Sequence, residues 1–210
     1  MIGVAAAVMA LSGLDFAGSG TRLIESIEKR YWPIEGKQYS ESITAAGEPG
    51  KAPAFTWDLA VYLSAAAAGC SLDAKKYGAL CEKILDSLKP YGCNRNGVWG
   101  YSDLPVHGPQ SDRYYDDNEW LVLAELEAYE ATHRKRFLDE AERTFQFVMS
   151  GESGDLGGGI FWRENDRKSK NTCSNAPRRP GRSQALPNDR QELLPDNREE
   201  PLRVACEAYG

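Results

Sequence analysis

The chain has 210 residues, a net charge of −6 and 41% hydrophobic residues, enough for one sizeable core within one or two domains. The mild acidity and the lack of a Lys/Arg stripe exclude a nucleic-acid partner, which requires a basic face. The five cysteines (Cys70, Cys81, Cys93, Cys173 and Cys206) form no CxxC pair and have only His107 and His133 to join them, which argues against a zinc site and for free buried thiols, with Cys70, Cys81 and Cys93 near one another.

Residues 1–20 open on an apolar, Ala-rich stretch that lacks a basic n-region and is too short to span a bilayer. It reads as the remnant of a signal sequence or the tail of a first helix. No membrane partner is expected, and the compartment stays unassigned, with secretion slightly ahead of the cytoplasm.

A first helix is predicted over residues 21–31, where Leu23, Ile24, Ile27 and Tyr31 make one apolar stripe and Pro33 follows. A Gly- and Pro-containing loop leads to Pro53. The second helix, 56–68, takes Thr56 as its cap and stops at Gly69 after an alanine run. The third, 73–88, aligns Leu80, Cys81, Ile84, Leu85 and Leu88 and ends before Pro90. The loop of 91–111, with Trp99 and Tyr101, is of a length that is often functional. The fourth helix, 116–131, and the fifth, 135–149, are joined so closely that they form an antiparallel hairpin. Phe137, Leu138, Ala141, Phe145, Val148 and Met149 line the inner stripe of the fifth. No stretch alternates long enough to be predicted as a strand, so the fold class is all-α, built from helical hairpins.

The tail, residues 178–210, has six Arg, no Lys, four Pro and no apolar stripe. It reads as a disordered extension, or as an out-of-frame translation of a gene whose other frame can continue the helical pattern. The expected division is an N-terminal segment 1–20, a catalytic domain 21–177 and this aberrant tail.

Potential chemistry concentrates at Arg113-Tyr114-Tyr115-Asp116-Asp117-Asn118-Glu119-Trp120. Asp116 and Asp117 fall in the first turn of a predicted helix, where acidic side chains cap free N–H groups and complement the helix dipole. That structural role is the default for such a pair. The neighbouring aromatics, the long loop before them and the 100° between successive helical residues support a second reading, in which both carboxyls flank one ligand atom. Glycoside hydrolysis needs such a pair, one acid to protonate the leaving oxygen and one carboxylate to attack or to activate water. Like charges side by side also drive two pKa values apart, giving one donor and one anion. The residues alone leave both readings open.

Four blocks occur in order: Phe55-Thr56-Trp57-Asp58, Tyr114-Tyr115-Asp116-Asp117-Asn118-Glu119-Trp120, Gly157-Gly158-Gly159-Ile160-Phe161-Trp162-Arg163 and Lys170-Asn171-Thr172-Cys173-Ser174-Asn175-Ala176-Pro177. Together they resemble glycoside hydrolase family 76, the α-1,6-mannanases with an (α/α)6 barrel. The resemblance implies endo-hydrolysis of α-1,6-linked mannan with retention, a polysaccharide partner, and no metal or other cofactor. It makes Asp116 the nucleophile and Asp117 the general acid/base. Trp57, Tyr115, Trp162 and Asn175 become candidate sugar contacts; packing is an equal alternative for all but Tyr115, where adjacency to the acids favours the ligand. Glu119 departs from the family pattern and reads as a solvated helix charge.

Twelve helices close such a barrel, and the pattern here holds five and the start of a sixth. Only the N-terminal half is therefore expected, with exposed inner faces that predict self-association and weak or no activity. Alternatives are a transglycosylase on mannose-containing glycans, a non-catalytic α-helical carbohydrate-binding or interaction module, and a helical-barrel enzyme on unsaturated uronides that uses Arg113 and Arg163.

Overall fold

The computed structural model describes residues 15–105 and 111–176. It divides into two compact units between Ala52 and Pro53. The tail 178–210 and the opening 1–14 lie outside the described residues.

In the first unit, helix α1 spans Phe16–Arg30 and so begins five residues before the expected Thr21. Asp15 is the reason: its Oδ1 accepts from the backbone N–H of Gly18 at 2.7 Å and caps the helix there. Ile24 is buried, whereas Leu23 is 64% exposed, so the expected stripe is narrower than the sequence suggests. The loop that follows folds back on α1 through Tyr39, whose hydroxyl donates to Glu28 Oε1 at 2.7 Å.

The second unit begins with α2 (Thr56–Gly69) and α3 (Ala74–Ser87). Phe55, not Thr56, is the cap residue of α2, and its N–H donates to Asp58 Oδ2 at 3.1 Å. Thr56 is instead the first helical residue; it donates to the carbonyl of Ser102 through its hydroxyl, 2.5 Å away. Helices α4 (Tyr115–Thr132) and α5 (Lys135–Ser150) form the predicted hairpin. Its corner is His133, at φ 55°, whose N–H closes on the Tyr129 carbonyl at 2.7 Å. Helix α2 packs against α3 on one side and α4 on the other, and α4 packs against α5.

One element was not expected. Between α3 and α4 the chain forms an antiparallel hairpin of β1 (Gly92–Arg95) and β2 (Val98–Tyr101). Asn96 and Gly97 form its turn with φ values of 53° and 81°, the pattern of a type I′ turn that suits the strand twist. Strand β2 lies on α5, and only glycine fits at position 100, since a Cβ there would sit 2.6 Å from the Phe147 ring. The core beneath gathers Tyr115, Val122, Phe145, Phe147, Val148, Ile160 and Phe161.

One face of this unit is bare. Trp57, Val61, Ala65 and Ala68 are exposed along α2, and Trp120, Glu127 and Glu130 along α4. Ser64 of α2 hydrogen-bonds Glu127 of α4 beside them. Cys70 and Cys81 lie together as expected, and burial, followed by Cys70, pushes the Cys81 thiol up to about 12. Cys93 instead stands on β1 with its sulfur 3.9 Å from the Ser102 hydroxyl.

Candidate active site

The chain enters α4 through a short extended segment, Arg113 to Tyr115, that pairs with the segment around Trp162. Tyr115 N–H donates to the Trp162 carbonyl, and Glu164 N–H to the Arg113 carbonyl, each at 2.9 Å. Beneath this pairing the Arg113 guanidinium is completely buried. Its Nε donates to Glu164 Oε2 at 2.7 Å, Nη2 donates to Glu164 Oε1, and Nη1 donates to the Cys93 and Val98 carbonyls at 3.2 and 3.0 Å. The Phe147 ring lies 4.5 Å below it. Asn118 ties the end of β2 to the first turn of α4, with its Oδ1 accepting from Tyr101 N–H at 2.8 Å and its Nδ2 donating to the Tyr101 and Tyr114 carbonyls.

On this support Asp116 and Asp117 are the second and third residues of α4. The cap position belongs to Tyr114, which makes no side-chain cap bond, and both acids lie in the first turn, where the helix dipole favours negative charge. Asp116 Oδ2 accepts from the Trp162 indole Nε1 at 3.2 Å. Among the described residues, no donor is placed on its buried Oδ1. The Cys173 thiol stands beside it and is pushed up, first by burial and then by the Asp116 carboxylate.

Asp117 differs. Burial, then the charges of Asp116, Asp103 and Asp58, push it up to about 7. Two neighbouring carboxyls with separated roles, one donor and one anion, are what acid-assisted displacement at a glycosidic carbon requires.

Asp58 and Asp103 were not singled out by sequence reasoning. Asp58 is the third residue of α2, so its charge reaches the dyad because α2 packs on α4. Asp103 follows β2; its N–H donates to the Asp112 carbonyl at 3.0 Å and its carbonyl accepts from Thr56 N–H at 2.9 Å. Its own carboxyl is raised by burial and further by Asp112. The Trp57-Asp58 block was a signal for the first. Nothing local marked the second.

Of the candidate sugar contacts, Trp57 is 48% exposed on α2 next to Asp58, open to a ligand. Trp162 is half-buried, bonded to Asp116 and set edge-on to Tyr114 at 5.1 Å between ring centres. Tyr115 does not meet its expectation. It is completely buried, stacked on Phe147 at 4.7 Å, because one step along the helix from Asp116 turns its side chain into the core. Asn175 is a staple: its Oδ1 accepts from Ile160 N–H, and its Nδ2 donates to the Ile160 and Asn171 carbonyls, all within 2.9 Å. Glu119 is likewise completely buried, and not a solvated charge. The uronide reading loses its cations, since Arg113 is sealed beneath the hairpin and Arg163 is engaged by Asp112 and Asp166 at 3.1 and 3.0 Å.

The helical hairpins define the class as an α/α fold. The model of Glycosyl hydrolase family 76 matches residues 35–178, and the chain belongs to that family. It is similar in structure to a GH76 alpha-mannanase of Bacteroides thetaiotaomicron, with 26% identity and a TM-score of 0.65 over 78% of this chain and 46% of that one. A family 76 glycoside hydrolase from a bovine Bacteroides thetaiotaomicron strain gives 24% identity and a TM-score of 0.67 over 79% of this chain and 37% of that one. An inactive double Asp-to-Ala variant of the alpha-1,6-mannanase of Salegentibacter sp. HEL1_6, in complex with alpha-1,6-mannotetrose, shares the fold at 21% identity and a TM-score of 0.60, over 78% of this chain and 43% of that one. No curated protein sequence matches. The chain thus spans less than half the length of these structures and corresponds to a partial α/α barrel.

Proposed function

We propose that the site is that of an endo-acting glycoside hydrolase on α-1,6-linked mannan, working with retention. Asp116 is the nucleophile and Asp117 the general acid/base. The observation that carries this reading is the asymmetry of the pair: Asp117 holds a proton up to about pH 7, while Asp116 is oriented by the Trp162 indole. The relatives named above as mannanases supply the glycan. Trp57 and Trp162 are the residues we assign to sugar contact.

The bare stripe on α2 and α4, with Trp57 and Trp120 exposed on it, is where self-association would occur. The test is incubation with linear α-1,6-mannan, with early products followed by proton NMR. Release of oligosaccharides with the α configuration at the new reducing end, abolished by Asp116→Asn, supports the reading. Initial β product would overturn retention. Mannan binding that is unchanged in Asp117→Asn, without any hydrolysis by the parent chain, would mark a non-catalytic binding module.

A further inference from the structure

The extended segment that leads into α4 has two unlike faces. Tyr114 lies directly opposite Arg163 in an antiparallel bridge. Bonds from Tyr115 N–H to the Trp162 carbonyl and from Glu164 N–H to the Arg113 carbonyl flank that bridge. Side chains alternate along extended backbone, so Arg113 and Tyr115 share one face while Tyr114 takes the other. The first face is sealed, with Arg113 completely buried on Glu164 and Tyr115 completely buried on Phe147. On the second face Tyr114 and Arg163 are both half-buried, and residues opposite each other in a bridge project to the same side.

This outer face adjoins the dyad. The Tyr114 ring meets Trp162 edge-on at 5.1 Å, and the Trp162 indole is the group that bonds Asp116. Arg163 is fixed by two carboxylates: its Nη1 donates to Asp112 Oδ2 at 3.1 Å and its Nη2 to Asp166 Oδ2 at 3.0 Å. The three side chains nonetheless keep 32%, 17% and 31% of their surface exposed. A guanidinium has more N–H donors than these two bonds use, and groups already held in place lose little freedom on binding. A ring beside a fixed, charge-matched fork suits a neutral sugar, whose C–H face takes the ring and whose hydroxyls take the fork. A sugar carboxylate would instead meet Asp112 and Asp166.

We propose that Tyr114 and Arg163 form a further mannosyl subsite on the Asp116 side of the dyad, with the Tyr114 ring under one sugar of the chain and Arg163 donating to its hydroxyls. This rests on the mannan reading above and adds a contact to Trp57 and Trp162. The subsite holds the chain and takes no part in making or breaking bonds. Its ring and its fork come from the two strands of one bridge, so a sugar seated there is held at a fixed height relative to Asp116.

The test uses the full chain carrying Asp117→Asn, which stops hydrolysis and leaves Trp162 and Asp116 in place, with α-1,6-mannotetraose titrated by calorimetry. Adding Tyr114→Ala should weaken binding by at least about threefold, the loss expected for one aromatic contact. Adding Tyr114→Phe, which keeps the ring, should hold affinity within about twofold. Contact is separated from support by a chain protonated only on its tyrosine rings, in which saturation passing from those rings to the sugar is read by NMR. Tyr114→Phe should lose most of that transfer while keeping its affinity, a result that a ring which merely props Trp162 would not give. Tyr114→Leu repeats the affinity measurement if the alanine variant folds poorly. Transfer unchanged in Tyr114→Phe would overturn the proposal, as would unchanged affinity in the alanine or leucine variant. Mannotetraose that is bound with this contact, yet never hydrolysed by the parent chain, would sink the hydrolase reading alone and leave the subsite standing. A parent chain that binds none overturns both.

Discussion

The Trp162 indole donates to the Asp116 carboxylate at 3.2 Å, joining residues 46 positions apart and orienting the proposed nucleophile from outside its own helix. Trp162 is in turn held by its backbone carbonyl, which accepts from Tyr115 N–H. Replacing the indole by Phe keeps an aromatic ring and removes the donor. A hydrogen bond to a charged group contributes about 1.5–3 kcal/mol, so Trp162→Phe should lower kcat/KM on mannan by roughly tenfold or more. Unchanged kcat/KM would show that the bond does not orient Asp116 for the proposed reaction.

Asp117 carries a sign that can be checked on stability. Its folded value of about 7 lies above the ordinary 3.8, so the folded chain binds the proton more tightly. The stability this provides is complete below the ordinary value and is lost as pH rises through about 7. Asp117→Asn should therefore change Tm little at pH 4 and raise it at pH 8, by roughly 2–4 °C for each kcal/mol relieved. Hydrolysis should vanish in the same variant. Glu125, raised by burial and then by Glu140, has the same sign, so the comparison is made between variants at each pH and not between pH values.

Tyr115 separates packing from recognition. Tyr115→Ala opens a cavity against Phe147 and should cost about 3–5 kcal/mol in denaturant unfolding. Tyr115→Phe keeps the stack and loses only a 3.4 Å contact from Arg167, so stability should change by under about 1 kcal/mol, with KM for mannan unaltered. A raised KM in the phenylalanine variant would return Tyr115 to the list of sugar contacts.

Arg113→Ala should destabilise by about 3–5 kcal/mol, since it strands Glu164 and two hairpin carbonyls. Arg95, 3.5 Å from the same Glu164, retains one partner and places the loss toward the lower end. Arg113→Lys should recover only part of it, because a single ammonium cannot reproduce the fork. Chemical denaturation of the three chains checks the order.

The helices were legible because burial and periodicity coincide in them: Asp73 caps α3, whose Leu80, Cys81, Ile84 and Leu85 are buried as the pattern requires. The α4–α5 hairpin followed from a connection too short for any other arrangement. The β-hairpin was passed over because strands of four residues cannot show alternation, although Asn96-Gly97 was a turn signal in plain sight. Within the site, the dyad was legible as a local cluster. Tyr115 was misjudged because adjacency in sequence is not adjacency in direction on a helix. Asp103 and the role of Arg113 arise from contacts between distant segments, which no local pattern encodes.

The entry to α4 has a consequence for how this family can diverge. Arg113 stands three positions before Asp116, and its guanidinium serves Glu164, the hairpin and Phe147 at once. No single substitution at any of these places leaves the others content. A lineage can abandon the arrangement only by changing several positions together, so Arg113 and Glu164 should persist or disappear as a pair among homologues, even in descendants that have given up catalysis and lost Asp116 or Asp117.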